Sequence, residues 1–212
     1  ADGTVCIESA VTPVQVVADV TGWSASSAAY TPLVPARLLD TRADDGNTVG
    51  KTIDSEFAGD GVLEPGTTIT LDVADRGGVP ADATAVSVNL TSSNAEGPGY
   101  LVAWPCDSDQ PLASTLNYLS EAPIANSVVV PLSGTGTLCI ESAVAATHVV
   151  VDVTGAYGTT DEFAGLVPAR LLDTRDVSGT TIGITVDGEH AGAGTVEHGE
   201  VLRLPVADRG GV

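Results

Sequence analysis

Residues 1–79 of this chain recur as residues 134–212, in register and without a gap. The offset is 133 positions, and 43 of the 79 aligned pairs are identical. The motif CIESAV at residues 6–11 returns at residues 139–144, and LVPARLLDTR at residues 33–42 returns at residues 166–175. A unit of this length has the size of one ordinary domain and exceeds the roughly 20–50-residue period of solenoids. The repeat therefore predicts tandem domains.

The offset divides the chain into three parts. Residues 1–32 carry the C-terminal part of one copy and a linker, residues 33–165 a complete copy and a linker, and residues 166–212 the N-terminal part of a third copy. Residues 80–133 have no second copy, so the two partial copies do not add up to a whole one. We expect the chain to be a length of a longer array. Incomplete domains expose unpaired strand edges, so we also expect the partial copies to pack on adjacent copies.

The complete copy has the pattern of an antiparallel all-β domain. Short runs rich in Val, Thr, Ile and Leu are separated by Gly, Pro, Asn, Asp or Ser, which is typical of strands joined by turns. We predict eight strands, at residues 36–42, 68–73, 85–91, 100–104, 114–119, 127–132, 136–142 and 148–154. This number favours a β-sandwich or jelly-roll-like unit. A β-trefoil is the alternative, ranked lower because the copy shows no internal threefold repeat.

Three segments allow finer predictions. Residues 85–91 (AVSVNLT) alternate between apolar and polar, as a strand with one wet face requires. The apolar runs SVVVPL at residues 127–132 and HVVVDV at residues 148–153 are continuous, which predicts burial on both faces. LSGTGTL at residues 132–138 predicts a hairpin turn.

The chain is strongly acidic, with 28 Asp and Glu against eight Lys and Arg and a formal net charge of −20. Such a surface repels nucleic-acid phosphates and anionic lipid, so neither is an expected partner. No apolar run is long enough to span a membrane. Solubility and adaptation to salt both explain the charge.

The three cysteines become two per copy once the repeat is taken into account. The complete copy contains Cys106 and Cys139, and Cys6 is the equivalent of Cys139. We predict a Cys106–Cys139 disulfide, with Cys6 unpaired or paired outside this chain, and hence an oxidising, extracellular compartment. Two buried free thiols are the alternative.

A site that every copy needs should be present in both copies, and the histidines fail this test. His148, His190 and His198 correspond to a glutamine, a phenylalanine and a proline, so no metal site is predicted from them. Asp44 and Asp45, in an acidic turn with Asn47, offer oxygen ligands for calcium. Their counterparts are not acidic, so we interpret them as a solvated turn and give calcium a minor place. No catalytic fingerprint is present, and no enzyme is predicted.

Both copies do retain charged residues within or beside apolar strands, and six of the eight basic residues are among them. Arginine can bridge carboxylates and carbonyls with bidentate geometry, so we predict a structural Arg–Asp network. Its members are Arg37, Asp40, Arg42, Asp75, Arg76 and Asp152 (with Asp19 as the other copy of Asp152), and Arg170, Asp173, Arg175, Asp208 and Arg209. A sugar or calcium site on the same groups is the alternative. Tyr100, Trp104 and Tyr118 are candidates for a glycan-stacking face, with core packing as the alternative.

Several motifs occur in a fixed order along residues 33–157: PARLLDTR, VADRGGVPADATAVSVNLT, GYLVAWPC, STLNY, ANSVVVPL, GTLCIES and HVVVDVTGAY. In this order they resemble a tandem β-rich repeat of secreted actinobacterial and related bacterial proteins. There the repeat follows cell-wall hydrolases, peptidases or glycosidases, or forms arrays in large surface proteins. The resemblance implies an accessory or structural module of the exported envelope and brings no activity of its own.

Together these observations predict a non-catalytic structural repeat of an extracellular or cell-surface fibre, stalk or envelope protein. Its copies would pack end to end with neighbouring copies, either within one protein or by self-association. The alternative is a carbohydrate- or cell-wall-binding accessory module of a secreted enzyme or adhesin, multiplied for avidity. The first hypothesis predicts contacts between copies, and the second predicts an exposed aromatic or polar cleft in every copy.

Overall fold

The computed structural model describes residues 30–158, 163–179 and 181–212. Within these residues the strands lie in the complete copy, except for the first three residues of β1: β1 (Tyr30–Asp40), β2 (Thr68–Asp72), β3 (Ala85–Ser93), β4 (Gly99–Pro105), β5 (Leu116–Tyr118), β6 (Ile124–Pro131), β7 (Thr137–Ser142) and β8 (His148–Tyr157). Each strand falls on one of the predicted runs, although β1 begins before the expected domain boundary at Leu33. Cys6, Asp19 and nearly all of the first partial copy lie outside the described residues.

The strands form two four-stranded sheets. The first has the order β1-β8-β3-β6 and the second the order β2-β7-β4-β5, and every pairing is antiparallel. Apolar side chains of both sheets, such as Leu90 of β3, Leu71 of β2 and Ile140 of β7, pack in one core. The predicted antiparallel β-sandwich is confirmed.

The alternation expected in β3 is present. Val86, Val88 and Leu90 are at most 1% exposed, while Ser87 and Asn89 on the other face are half-buried. The continuous apolar run of β8 is also buried, because β8 lies between β1 and β3.

The expectation that β6 is buried on both faces is wrong. β6 is the edge strand of the first sheet, and its first residues are exposed. Val129, in the middle of the apolar run, is 39% exposed, and only the end of the strand enters the interior. Edge and central strands can have similar sequences, and the order of strands in the sheet decides which of them is exposed. A run of valines does not encode that order.

The turn at residues 132–138 differs from the predicted hairpin. It closes tightly, since the Ser133 N–H donates to the Thr137 carbonyl at 3.0 Å and Gly136 has a φ of 75°. Yet β6 and β7, which it joins, belong to different sheets. The segment is therefore a connection between the two layers of the sandwich.

The chain enters and leaves the complete copy at the same end of the sandwich. Tyr30, the first residue of β1, is the register partner of Tyr157, the last residue of β8, and their ring centroids are 5.0 Å apart. Phe163 of the following linker stacks on Tyr157 with centroids 4.0 Å apart. Both linkers thus meet one aromatic cluster.

The third copy, where described at residues 166–179 and 181–212, has turns and isolated bridges but no named strand. It keeps the parallel bridge between Asp173 and Ala191, which is the equivalent of the bridge between Asp40 and Ala58. Its Arg170 Nη2 donates to the Leu112 carbonyl of the complete copy at 3.1 Å. Within its described residues, this segment therefore has the loop structure of the complete copy without the strands that flank it there.

Candidate functional site

Asp40, the last residue of β1, is fully buried and forms the centre of a first ionic cluster. Arg42 donates to both carboxylate oxygens, from Nε to Oδ1 at 2.8 Å and from Nη2 to Oδ2 at 2.7 Å. The backbone N–H groups of Arg42 and Gly50 and the Nη1 of Arg37 donate three more bonds, each at 3.1 Å. These donors saturate the acceptor sites of one carboxylate. Asp40 consequently has no free oxygen for a metal ion or for a proton from a substrate.

The charge of Asp40 is stabilised despite its burial. Burial alone would raise the pKa of this carboxyl, but hydrogen bonds from the Arg42 side chain and from the backbone of Arg42 and Gly50 outweigh it and lower the pKa. The group therefore stays ionised at neutral and mildly acidic pH, as a structural ion pair requires.

Arg37 extends the first cluster across the sheet. Its Nε donates to Asp152 Oδ1 at 2.9 Å, and its Nη1 donates to the Thr48 carbonyl at 3.1 Å. Arg37 and Asp152 are register partners on β1 and β8. One guanidinium thus links two neighbouring strands and the loop that follows β1.

Arg76 is the centre of a second cluster and is only 8% exposed. Its Nε and Nη2 donate to the two carboxylate oxygens of Asp54 at 2.7 and 2.8 Å. Nη1 donates to the Asp72 carbonyl at 2.6 Å and Nη2 to the Leu38 carbonyl at 3.0 Å. Leu38 lies in β1 and Asp72 in β2, which belong to different sheets. Arg76 therefore ties both layers of the sandwich to the loop that carries Asp54.

Acid should dissociate this second cluster in a defined pH range. The hydrogen bond from Arg76 lowers the pKa of Asp54 to about 2, below the value of about 3.9 in an unfolded chain. The stability it contributes is therefore fully present above about pH 4 and is lost as the pH falls towards about 2. Urea midpoints should fall across that range, and should fall less in Arg76→Ala, which lacks the partner. A wild-type midpoint that stays constant from about pH 4 to about pH 2 would contradict the assignment.

Both clusters recur in the third copy. Arg175 donates to both oxygens of Asp173 at 2.9 and 2.7 Å, and the Gly183 N–H donates to the same carboxylate at 3.1 Å. Arg209 donates to both oxygens of Asp187 at 2.6 and 2.9 Å. Hydrogen bonds from these arginines hold the pKa values of Asp173 and Asp187 well below the usual range. The described part of this segment has no named strand, so the clusters depend on contacts within the loops and not on a named strand of their own copy.

The prediction that Asp75 and Asp208 belong to the network is wrong. Neither has an ion pair within the described residues, and both have a φ of 62°, in a turn where the Asp75 N–H donates to the Val79 carbonyl. Aspartate is one of the few residues that adopt this left-handed conformation readily. The true partners are Asp54 and Asp187, which are equivalent in the two copies, so the same comparison of copies would have found them.

Loss of Arg42 tests the first cluster. Arg42→Ala leaves the buried carboxylate of Asp40 without two of its donors, so the free energy of unfolding should fall by roughly 1–3 kcal/mol. Differential scanning calorimetry should show a lower melting temperature for the complete copy. Arg175→Ala is the matched control in the third copy and should leave that transition within about 0.5 kcal/mol. An unchanged melting temperature for Arg42→Ala would argue against a structural role.

Cys106, which follows β4, and Cys139 of β7 form a disulfide, with an S–S distance of 2.05 Å and a Cα–Cα distance of 5.0 Å. Trp104 and Val102 pack against Cys139 in a small cluster separate from the main core. The alternative of two free thiols does not describe this structure. Disulfides persist in oxidising compartments.

The structure does not assemble the candidate glycan-stacking face. Trp104 is 6% exposed, and Tyr118 is 2% exposed with its hydroxyl donating to the Ala145 carbonyl at 2.6 Å. Neither ring offers a face to a sugar. Only Tyr100 of the three is partly accessible.

Tyr100 lines a cleft of about 320 Å³ between the complete copy and the third copy, together with Asn117, Arg170 and Arg175. The two guanidinium groups are the obvious donors for a polar ligand. Both already donate to Asp173, and Arg170 also donates to the Leu112 carbonyl. The cleft is therefore poor in free hydrogen-bond donors.

In the part of the chain that the structure describes, no three His, Cys, Asp or Glu side chains lie together as ligands of a metal ion. Asp45, considered for calcium, instead accepts hydrogen bonds from the backbone N–H groups of Asn47 and Val49 at 2.8 and 3.2 Å. Over the same residues, no helix has the length and hydropathy needed to cross a membrane. Compared with models of known protein families and with curated proteins, the chain matches none.

Proposed function

We propose that this repeat is a non-catalytic structural module of an extracellular fibre, stalk or envelope protein. One observation carries the proposal: the ionic groups that both copies share bind each other and the backbone of their own copy. Asp40 is saturated by its donors, and Arg76 joins a loop carboxylate to a strand of each sheet. Groups used in this way stabilise a scaffold and leave little to recognise a ligand.

The joint between copies supports the same proposal. Tyr30 and Phe163 are equivalent positions, and both pack near Tyr157 at the end of the sandwich. Aromatic packing of this kind restrains a short linker. Because both linkers meet one end of the sandwich, neighbouring copies would lie beside that end. We therefore propose lateral or zigzag contacts between copies in place of the end-to-end packing expected from the sequence.

The extracellular location rests on the disulfide. It joins the residue after β4 to the neighbouring strand β7 of the second sheet, where it would resist local opening and proteolysis. The resemblance to secreted bacterial repeats points to the same compartment.

The proposal is tested against its alternative by co-sedimentation of the 212-residue chain with purified peptidoglycan. A structural module should stay in the supernatant. Sedimentation with peptidoglycan that is abolished by Tyr100→Ala and kept by Tyr100→Phe, which preserves the ring, would overturn the proposal in favour of carbohydrate binding through the Tyr100 cleft.

A further inference from the structure

Three backbone N–H groups are hydrogen-bonded in the complete copy but have no described acceptor in the third copy. In the complete copy, β7, β8 and the loop between them supply the acceptors: Thr41 N–H donates to the carbonyl of Val149, Leu63 N–H to that of Thr147 and Gly66 N–H to that of Ser142, at 3.1, 2.8 and 2.8 Å. The equivalent N–H groups belong to Thr174, Val196 and Gly199. Across residues 163–179 and 181–212 none of these three donates to a described acceptor.

The same segment exposes side chains that the complete copy buries. Val73 is fully buried, whereas its equivalent Val206 is 45% exposed. Leu63 is 4% exposed, whereas its equivalent Val196 is 47% exposed. Among the described residues, nothing covers the face of the third copy that the complete copy packs on β7 and β8, and apolar side chains of that face are exposed.

Arg170 points to the identity of the missing partner. In the complete copy, Arg37 Nε donates to Asp152 of β8. Among the described residues, Arg170 Nε has no such carboxylate, and its Nη2 donates instead to the Leu112 carbonyl. A strand with an aspartate at the Asp152 position would restore the lost ion pair.

Residues 4–24 carry that strand pair in sequence. They align with residues 137–157, which span β7 and β8, with 13 identities in 21 positions. Asp19 occupies the position of Asp152, and CIESAV matches the stretch that includes most of β7. No other part of the chain repeats the sequence of β7 and β8.

The position of the linkers brings this segment within reach. Phe163, just before the third copy, stacks on Tyr157, which is beside Tyr30. In the register of the complete copy, Phe163 would face Ser24, as Tyr30 faces Tyr157. Six positions separate Ser24 from Tyr30, and an extended chain of that length spans about 20 Å. A partner held by so short a tether has a high effective concentration.

We propose that residues 4–24 pair with residues 166–212 of the same chain, so that each partial copy supplies strand partners for the other. The segment lies antiparallel to residues 166–175 in the register of β8 with β1, and to residues 201–205 in the register of β7 with β2. Pairing rebuilds one half of a second sandwich and covers the exposed valines. The inference is independent of the proposed function.

An engineered disulfide tests the register. Thr70 faces Cys139 across β2 and β7, with Oγ1 and Sγ 3.8 Å apart, so Arg203 should face Cys6. Directly opposed residues of antiparallel strands have Cα atoms about 4.5–5.5 Å apart, within the range of a disulfide. With oxidised glutathione as the oxidant, which is reduced to two thiols, the thiol introduced by Arg203→Cys should therefore form a disulfide with Cys6 inside monomers, at a yield independent of protein concentration. Non-reducing peptide mass spectrometry measures this yield.

Val201→Cys is the matched control, because it lies two residues along the same face and should face Glu8. A yield for Arg203→Cys no higher than for Val201→Cys would overturn the proposal. Disulfides found only between the two chains of a dimer would also overturn the proposal, since the pairing partner would then be a second molecule.

A second measurement does not depend on the cysteine variant. Val16→Pro removes the N–H equivalent to that of Val149, which donates to Thr41 Oγ1 at 2.9 Å, whereas Val11→Pro changes the equivalent of an exposed loop residue, Val144. Amide exchange in residues 171–200 should rise about ten-fold or more in Val16→Pro, because the pairing strand is lost, and stay unchanged in Val11→Pro. Equal exchange in the wild type and Val16→Pro would contradict the pairing.

Discussion

Replacing Arg76 with alanine should lower the free energy of unfolding of the complete copy by roughly 2–4 kcal/mol. The change removes the two guanidinium donors to Asp54 and leaves the carbonyls of Leu38 and Asp72 without their guanidinium partner. It also removes the cation from the ring of Phe57, whose centroid is 4.9 Å from the guanidinium carbon. Because Arg76 joins both sheets to one loop, the loss should appear in the main cooperative transition, measured by urea denaturation.

Two controls separate this effect from a simple loss of charge. Arg76→Lys keeps the charge but not the planar fork, so it should recover only part of the stability. Lys51→Ala breaks the exposed pair with Asp44, 3.7 Å long, and should change stability by at most about 0.5 kcal/mol. Equal effects of Arg76→Ala and Lys51→Ala would show that the second cluster is not a structural centre.

Removing the disulfide should have an effect of similar size. The bond closes a loop of 33 residues, for which the chain-entropy account gives a stabilisation of roughly 3–4 kcal/mol. The double variant Cys106→Ser/Cys139→Ser should therefore unfold at a lower urea concentration. Substituting both cysteines avoids a free thiol that could exchange with Cys6.

Reduction of the wild-type protein provides an independent comparison for the double variant, and Cys6→Ser, which leaves this bond intact, is the matched control. The reduced protein and the double variant should have the same lowered midpoint. Stability equal to that of the wild type in both would mean that the bond contributes nothing to the fold.

The sequence predicts the strands well because each is a short apolar run between turn-forming residues. The order of the strands within each sheet is harder to predict from the sequence. The valine runs of β6 and β8 look alike, yet β8 is central and β6 is an edge strand, which only the pairing of distant segments decides. The same limit explains the turn at residues 132–138, whose local sequence is typical of a hairpin although its strands lie in different layers.

The candidate site was also predictable from the sequence only in part. Asp40 and Arg42 are two positions apart in the LLDTR motif, so the first cluster could be predicted from residues that both copies retain. Asp54 and Arg76 are 22 positions apart, and the neighbouring Asp75 was the more obvious partner in sequence. Tyr118 of β5 looked available for stacking because strand patterns identify alternate faces but do not show which face the opposite sheet covers.

The third copy explains why the shared charged residues persist. Its clusters have the geometry of those in the complete copy although it has no named strand among its described residues. The ionic clusters therefore keep their geometry in a segment whose described residues form no named strand.

Negative-stain electron microscopy of native material tests the proposed structural role most directly. The account predicts fibres or layers with a regular repeat that matches one or a few copies of the sandwich. Isolated globules, with the repeat present as a single appendage of a larger enzyme, would contradict it.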